Sequence, residues 1–328
     1  MQQIKILATG SFLPETVVAN DDFKRIVDTS DEWISTRTGI STRHFSSEPT
    51  WRMGAKAAKA ALEQGKIDPE EIDLIIGTTI TNDYATPSMA CLVQGAVGAK
   101  NARAFDIGAA CSGFVYAMDL ASRLLADGEI RKVMVVSAER LSKITDFSRR
   151  ESCVLFGDGA AACIVEKGDS PAYSYLKSDG TQGGMLYAHN PDRGANPFVP
   201  EFSLEGEFPE PESHAVQMDG KEVYKFSTRA MPEAVSEVCR KAGISPEELD
   251  WIIPHQANIR IMATAAKALG ISMERIAANI SRVGNTSSAS IPICMDEMNR
   301  AGRLLPGQWV CLVGFGAGAT YGAVLLRW

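Results

Sequence analysis

The sequence predicts an α/β fold in which one layered unit occurs twice. Two observations predict it: an internal repeat of domain size, and an alternation of short apolar runs with helix-like segments. The repeat shows in IDPEEIDLII at 67–76 and ISPEELDWII at 244–253, identical at seven of ten positions. At the same offset, VMVV at 133–136 meets VCLV at 310–313. At a somewhat shorter offset, FGDGAAACIV at 156–165 resembles FGAGATYGAVLL at 315–326, and the shortfall is an excursion of the first copy around 139–155. Solenoid repeats run to about 20–50 residues, so this much longer period marks two copies of a domain-sized unit. The halves are expected at 1–171 and 172–328.

Along the first copy, the apolar run 4–10 reads as a strand, 55–62 as a helix, 74–78 and 133–137 as buried strands, and 104–107 as a short strand. Residues 112–126 read as a buried helix stopped by Asp127-Gly128. Between the copies, 184–217 hold five prolines and no helical period, which predicts a long loop, either a lid or a surface excursion. In the second copy WIIP at 251–254 reads as a strand, 256–270 as a helix with Lys267 and Gly270 near its end, and Asn285 lies between a strand-like and a helix-like segment. The uncharged stretch 304–326 is broken by Pro306-Gly307 and by Gly314, Gly316, Gly318 and Gly322, so it reads as two buried strands around a turn, not a membrane span.

The 328 residues are 45% hydrophobic, ample for a large core, and 33 basic against 40 acidic residues give a net charge of -7. No overall positive field draws this chain to nucleic acid or an anionic membrane, so an anionic partner must meet a local basic patch. Seven cysteines, odd in number and without a C-x-x-C pair, argue against a disulfide framework and a structural zinc site, and point to a reduced, cytoplasmic protein. The first apolar stretch carries Lys5 and no cleavage pattern, so no secretion signal is expected.

Among the cysteines, Cys111 has the surroundings for chemistry. A short strand leads through Gly108 to Cys111, and a helix follows, which places the thiol at a helix N-terminus. Unpaired N–H groups and the positive end of the dipole favour thiolate there, the form that attacks carbonyls. The bland alternative is an inert buried thiol, as for the other six. His255 stands at a strand-to-helix junction, where open α/β sheets place ligands, and its alternative is a hydrogen-bonded structural residue. Asn285 is a third polar candidate or a capping residue. The glycines of 314–322 come too near the chain's end to open a dinucleotide-binding unit, so NAD and FAD are rejected, but they can bring backbone N–H groups to another site as an oxyanion hole requires.

Six segments in collinear order resemble the β-ketoacyl-acyl carrier protein synthase III family of the thiolase-like condensing enzymes: SDEWISTRTGI, ACSG, FGDGAAA, PHQANIRI, GNTSSASIP and GFGAGATYGAVL. The resemblance spans essentially the whole chain and implies a thiolase-like duplicated layered fold, α-β-α-β-α. It places the family's Cys-His-Asn set on Cys111, His255 and Asn285, and oxyanion-hole N–H groups on Cys111 and Ala317. It implies that acyl-CoA, a substrate and not a resident cofactor, acylates Cys111, and that malonyl-acyl carrier protein then condenses with loss of CO2. No metal is implied. For CoA the resemblance points to Thr29, Trp33, Arg37, Arg150, Asn258 and Arg260; for the carrier protein, to Gln256, Ala257, Asn258, Ile259 and Arg260, with Lys267 further along the same helix face. A homodimer is implied.

Three features depart from the family's usual pattern. Ala317 stands where many members have glycine, which preserves function if its backbone angles are ordinary. Thr86 stands where acetyl-selective relatives often carry a phenylalanine that closes the acyl pocket of the neighbouring subunit, so longer or branched starters are expected. The 184–217 loop looks longer than in compact relatives. Competing readings are a CoA-dependent condensing enzyme of secondary metabolism on the same fold and a non-catalytic acyl-binding scaffold.

Overall fold

A computed structural model describes residues 3–189 and 215–328. The first half runs β1 (Gln3–Phe12), β2 (Thr16–Ala19), α1 (Asp31–Thr38), β3 (Thr42–Phe45), α2 (Thr50–Gly65), β4 (Leu74–Thr78), α3 (Met89–Val97), β5 (Arg103–Ile107), α4 (Gly113–Leu124), β6 (Lys132–Arg140), α5 (Arg150–Cys153) and β7 (Asp158–Pro171). The second runs β8 (Tyr173–Ser178), β9 (Leu186–Tyr187), β10 (Gln217–Met218), α6 (Gly220–Ala242), β11 (Trp251–Pro254), α7 (Ile259–Leu269), α8 (Ile280–Val283), α9 (Ser290–Arg300), β12 (Trp309–Gly316) and β13 (Thr320–Arg327).

The two large sheets have the orders β1-β7-β6-β4-β5 and β8-β13-β12-β11. Shifting the first by the repeat superimposes β4 on β11 and β6 on β12, and the remaining partners follow in the same order, with β5 an extra edge strand. The central helices obey the same shift, since the offset that carries 67–76 onto 244–253 also carries the start of α4 at Gly113 onto the start of α9 at Ser290. Three apolar clusters stack the layers. One joins α2 and α3 to the first sheet, one encloses α4 and α9 between both sheets, and one joins the second sheet to α6 and α7. The result is α-β-α-β-α, the predicted fold class. Strands covered on both faces need no alternation, which is why they read as continuous apolar runs.

Local signals set the helix ends at the site. Ser30 caps α1 by accepting the Trp33 N–H at 3.0 Å, and Gly39 ends it at φ 81°. Gly39 has no room for a side chain, because an added Cβ would meet Ile259 at 2.6 Å. Asn258 caps α7, and Gly270 ends it at φ 70°.

Three expectations need correction. β6 runs on past residue 137 to Arg140 and carries the buried Glu139, a charge that breaks the apolar run in sequence but not the strand. The residues before Asn285 form the single turn α8, not a strand. Of the cysteines expected to be buried, Cys91 on α3 is exposed. The 304–326 stretch folds as β12 and β13, and among the described residues no helix is long and apolar enough to cross a membrane. Of the predicted 184–217 loop, 190–214 lie outside the described residues; its two ends pair as β9 and β10.

Candidate active site

Cys111, His255 and Asn285 come from three different segments and line one cavity of about 480 Å³. Cys111 lies in the 3-10 turn Ala110–Ser112 that leads into α4. It is 9% exposed, and its Sγ accepts a hydrogen bond from Ser287 Oγ at 3.4 Å. The closing strand touches it from the other side: a Cβ added at Gly316 would lie 2.9 Å from both Cys111 Cβ and Cys111 N. Glycine at 316 therefore lets the end of β12 lie against the backbone of Cys111. Ala317 is absent from the residues with positive φ, so its backbone angles place no demand for glycine.

The thiolate expected from the helix N-terminus is not the resting form. Burial pushes the Cys111 thiol up to about 11, with the nearby Glu139 charge acting in the same direction and the Ser287 hydrogen bond opposing both. A helix terminus contributes about 0.3–1 kcal/mol at an exposed site and up to about 2 kcal/mol in a partly buried one, less than the roughly 2.7 kcal/mol that a rise from 9.0 to about 11 represents. Burial outweighs the helix terminus and keeps Cys111 a thiol.

His255 follows β11, with its N–H donating to Val313 O at 2.8 Å. The ring packs edge-on to Phe315 with centroids 5.3 Å apart, and Nδ1 lies 2.7 Å from Ser290 Oγ. At 2% exposure, burial drives its pKa down to about 3, so the ring is neutral at ordinary pH. Asn285 is fixed by its backbone, which bonds Leu155 O and Gly157 N at 2.9 Å each. Its Oδ1 accepts the Ser287 N–H at 2.9 Å, which leaves the amide NH2 for the cavity.

Trp33, Arg37, Asn258 and Arg260 line the same cavity. The guanidinium carbons of Arg37 and Arg150 lie 4.9 and 4.5 Å from the Trp33 ring centroid. Arg150 faces an adjoining depression with Val27 and Asp28, and Glu151 borders both spaces. Thr29 lines neither, but its buried hydroxyl lacks a hydrogen-bond partner, as does Arg150 Nε. Asn258 spends Oδ1 on the Arg260 N–H at 2.8 Å and one amide hydrogen on Arg37 O at 3.0 Å, so one N–H remains for a ligand.

The carrier-protein set separates. Arg260 and Lys267 are exposed on α7, and Ala257 is half-buried on the cavity wall. Ile259 is half-buried against Gly39. Gln256 is wholly buried and cannot touch a partner: its amide donates to Pro254 O and Ala277 O and accepts from Asn279 N and Ile280 N. Thr86 is exposed and does not line its own chain's cavity.

Sequence reasoning missed the far wall, built by Met218, Val223, Tyr224 and Phe226, together with Met185 and Leu186 at the near end of the long loop. It also missed Ser287, Ser290 and Glu139 behind the thiol and ring.

The chain is similar along its whole length to known proteins. Residues 105–183 match the family described as 3-oxoacyl-[acyl-carrier-protein (ACP)] synthase III, and 239–328 match its C-terminal part. The chain is 47% identical over 332 residues to the β-ketoacyl-[acyl-carrier-protein] synthase III of Clostridium acetobutylicum, covering 100% of this chain and 99% of that one. The crystal structure of 3-oxoacyl-[acyl-carrier-protein] synthase III from Aquifex aeolicus VF5 is similar at a TM-score of 0.90 and 41% identity, covering 99% of this chain and 100% of that chain. The priming β-ketosynthase from the R1128 polyketide biosynthetic pathway is similar at a TM-score of 0.89 and 34% identity, covering 99% and 97%. With both family segments matched at 105–183 and 239–328 and a relative 47% identical over its full length, the chain belongs to the 3-oxoacyl-[acyl-carrier-protein] synthase III family.

Proposed function

We propose that this protein is the initiating condensing enzyme of type II fatty acid synthesis. Acyl-CoA acylates Cys111, CoA leaves, and malonyl-acyl carrier protein condenses by decarboxylation to give 3-oxoacyl-acyl carrier protein and CO2. The observation that carries the reading is the convergence of Cys111, neutral His255 and the free amide of Asn285 on one cavity, with the end of β12 at Gly316 packed against the Cys111 backbone.

The N–H groups of Cys111 and Ala317 hold the oxyanion formed when the acyl carbonyl is attacked. When malonyl loses CO2, negative charge grows on its thioester oxygen, and Asn285 Nδ2 and His255 Nε2 donate to it. This tautomer requires the one Ser290 hydroxyl hydrogen to turn to Nδ1 and away from Ser287 O, to which it donates at 2.8 Å, so that the ring proton sits on Nε2. Trp33 stacks the adenine, and Arg37, Arg150 and Arg260 take phosphates, with Thr29 and Asn258 supplying hydrogen bonds. Arg260 and Lys267 form the basic face for the acidic carrier protein.

A homodimer fits the open edge of the first sheet, where β5 exposes Phe105 at 38% and the neighbouring loop exposes Ile80 and Tyr84 at 42% and 52%. Such a partner brings Thr86 to the other subunit's acyl pocket. The seven unpaired cysteines fit a cytoplasmic setting, and the step from β7 into β8 fits a division of the halves at 171/172. Asn285→Ala tests the reading: Cys111 should still acylate while decarboxylation stalls, whereas a variant that only melts earlier contradicts the enolate role.

A further inference from the structure

Glu139 is a carboxyl with no exposed surface, next to the nucleophile, and the reaction as written gives it nothing to do. Three donors crowd its Oε2: Thr81 Oγ1 at 2.9 Å, Ile80 N at 3.1 Å and Thr79 Oγ1 at 3.2 Å. Oε1 receives one, from Ser288 Oγ at 2.7 Å. A carboxylate oxygen has two lone pairs, so Oε1 keeps an open acceptor site on the side of the turn that follows Asn285. Ser287 Oγ donates to Cys111 Sγ at 3.4 Å, and the same hydroxyl helps to hold the Glu139 carboxyl down, so turning its one hydrogen from Sγ toward Oε1 lets it accept from the thiol and donate to the carboxyl. Ser287 is held there in the left-handed region at φ 49°, a conformation that costs a non-glycine residue about 1–3 kcal/mol and persists where the surroundings impose it. Among the described residues the hydrogen-bond partners of the carboxyl are hydroxyls and one N–H, and the Cys111 thiol feels its charge.

We propose that Ser287 and Glu139 form a proton line behind Cys111 that takes up the thiol proton during acylation and returns it after condensation. This rests on Cys111 being the acyl acceptor. In acylation the Cys111 proton passes to Ser287 Oγ as the Ser287 proton passes to Glu139 Oε1. The sulfur pair attacks the acyl carbonyl, the carbon–sulfur bond to CoA breaks with its electrons going to the CoA sulfur, and the CoA thiolate takes a proton from water. Glu139 then stays protonated beside the acyl-enzyme. In condensation the malonyl-derived enolate attacks the acyl-cysteine, the Cys111–acyl bond breaks toward sulfur, and the thiolate recovers its proton from Glu139 through Ser287. One proton is borrowed and returned, and the solvent proton consumed is the one on CoA. Ser287, which touches the reacting sulfur, is a catalytic residue in this scheme, and Glu139 acts through it. The resting thiol makes an acceptor necessary, and a neutral ring with a pKa of about 3 is a poor one.

The test is the rate at which full-length protein gains an acetyl group on Cys111 from acetyl-CoA, followed by quenched mass spectrometry from pH 6 to 9 for wild type, S287A, E139Q and the double variant. Each single variant is expected to be about a hundredfold slower at pH 7. The gap should close as pH rises and hydroxide replaces the line. The double variant should be no slower than the slower single one, because both remove the same line. E139Q acylating as fast as wild type or faster overturns the proposal, since removing a negative charge beside a thiol by itself promotes thiolate. Losses that add, or that are uniform across pH, overturn it too. If E139Q does not fold, S287A decides alone, and an unchanged rate overturns the line. A wild-type protein that takes up no acetyl group at any pH overturns the acyl-transfer reading itself.

Discussion

Ala110 and Ser287 occupy the same point of the two repeats, and both adopt the left-handed backbone, at φ 44° and 49°. Each opens a single 3-10 turn, Ala110–Ser112 and Ser287–Ala289, that runs into a buried central helix, α4 or α9. The duplication therefore brings two equivalent turns face to face, and a Cβ added at Gly113 would lie 3.4 Å from Ser288 Cβ. One copy supplies Cys111 at this meeting point, and the other supplies His255 and Asn285.

Gly316 sets the distance between the closing strand and Cys111. Gly316→Ala should displace Cys111 and the Ala317 N–H together, because the new methyl has no vacant direction. Acylation of Cys111 should fall by about a hundredfold, the scale of a misplaced reacting group, with far-ultraviolet circular dichroism unchanged.

Gln256 and Arg260 should behave oppositely. Gln256→Ala strands four buried backbone groups and should cost about 2–4 kcal/mol of stability, read by denaturant unfolding. Arg260→Ala should leave unfolding unchanged and raise KM for malonyl-acyl carrier protein, with a weaker dependence on salt than wild type shows.

His255 makes stability depend on pH with a definite sign. Its folded pKa lies below the unfolded value of 6.5, so the unfolded chain binds the extra proton between that value and about 3. This contribution is fully present above 6.5 and is lost as pH falls toward 3. Melting temperatures of wild type should drop across that interval more steeply than those of His255→Ala. Equal slopes would contradict a buried neutral ring.

Thr86→Phe should shift preference from longer or branched starters to acetyl-CoA by roughly tenfold or more in relative kcat/KM, a scale typical of one or two methylenes in a filled pocket. An unchanged ratio would show that this residue does not bound the acyl pocket.

The sheets were legible because strands buried on both faces are uninterrupted apolar runs, and the duplication was legible because 67–76 and 244–253 kept their turn residues. What escaped the sequence was long-range. Glu139 looked like the end of a strand because its partners, Thr81 and Ser288, lie 58 and 149 residues away. Gln256, adjacent to His255, looked accessible, yet its amide closes the interior between β11 and α8. The Cys111 thiolate was inferred from the helix start, a local feature, whereas its protonation is governed by burial that distant segments impose. Met218 and Tyr224 could have been found only from the position of α6, since no local pattern marks a cavity wall.

The most direct test of the account is intact-protein mass spectrometry of wild type and Cys111→Ala mixed with acyl-CoAs of several lengths and branching patterns, followed by malonyl-acyl carrier protein. Wild type should gain one acyl adduct and the variant none, and the adduct should be lost as 3-oxoacyl-acyl carrier protein appears. An adduct that only malonyl-CoA discharges, or no adduct at all, would contradict the account.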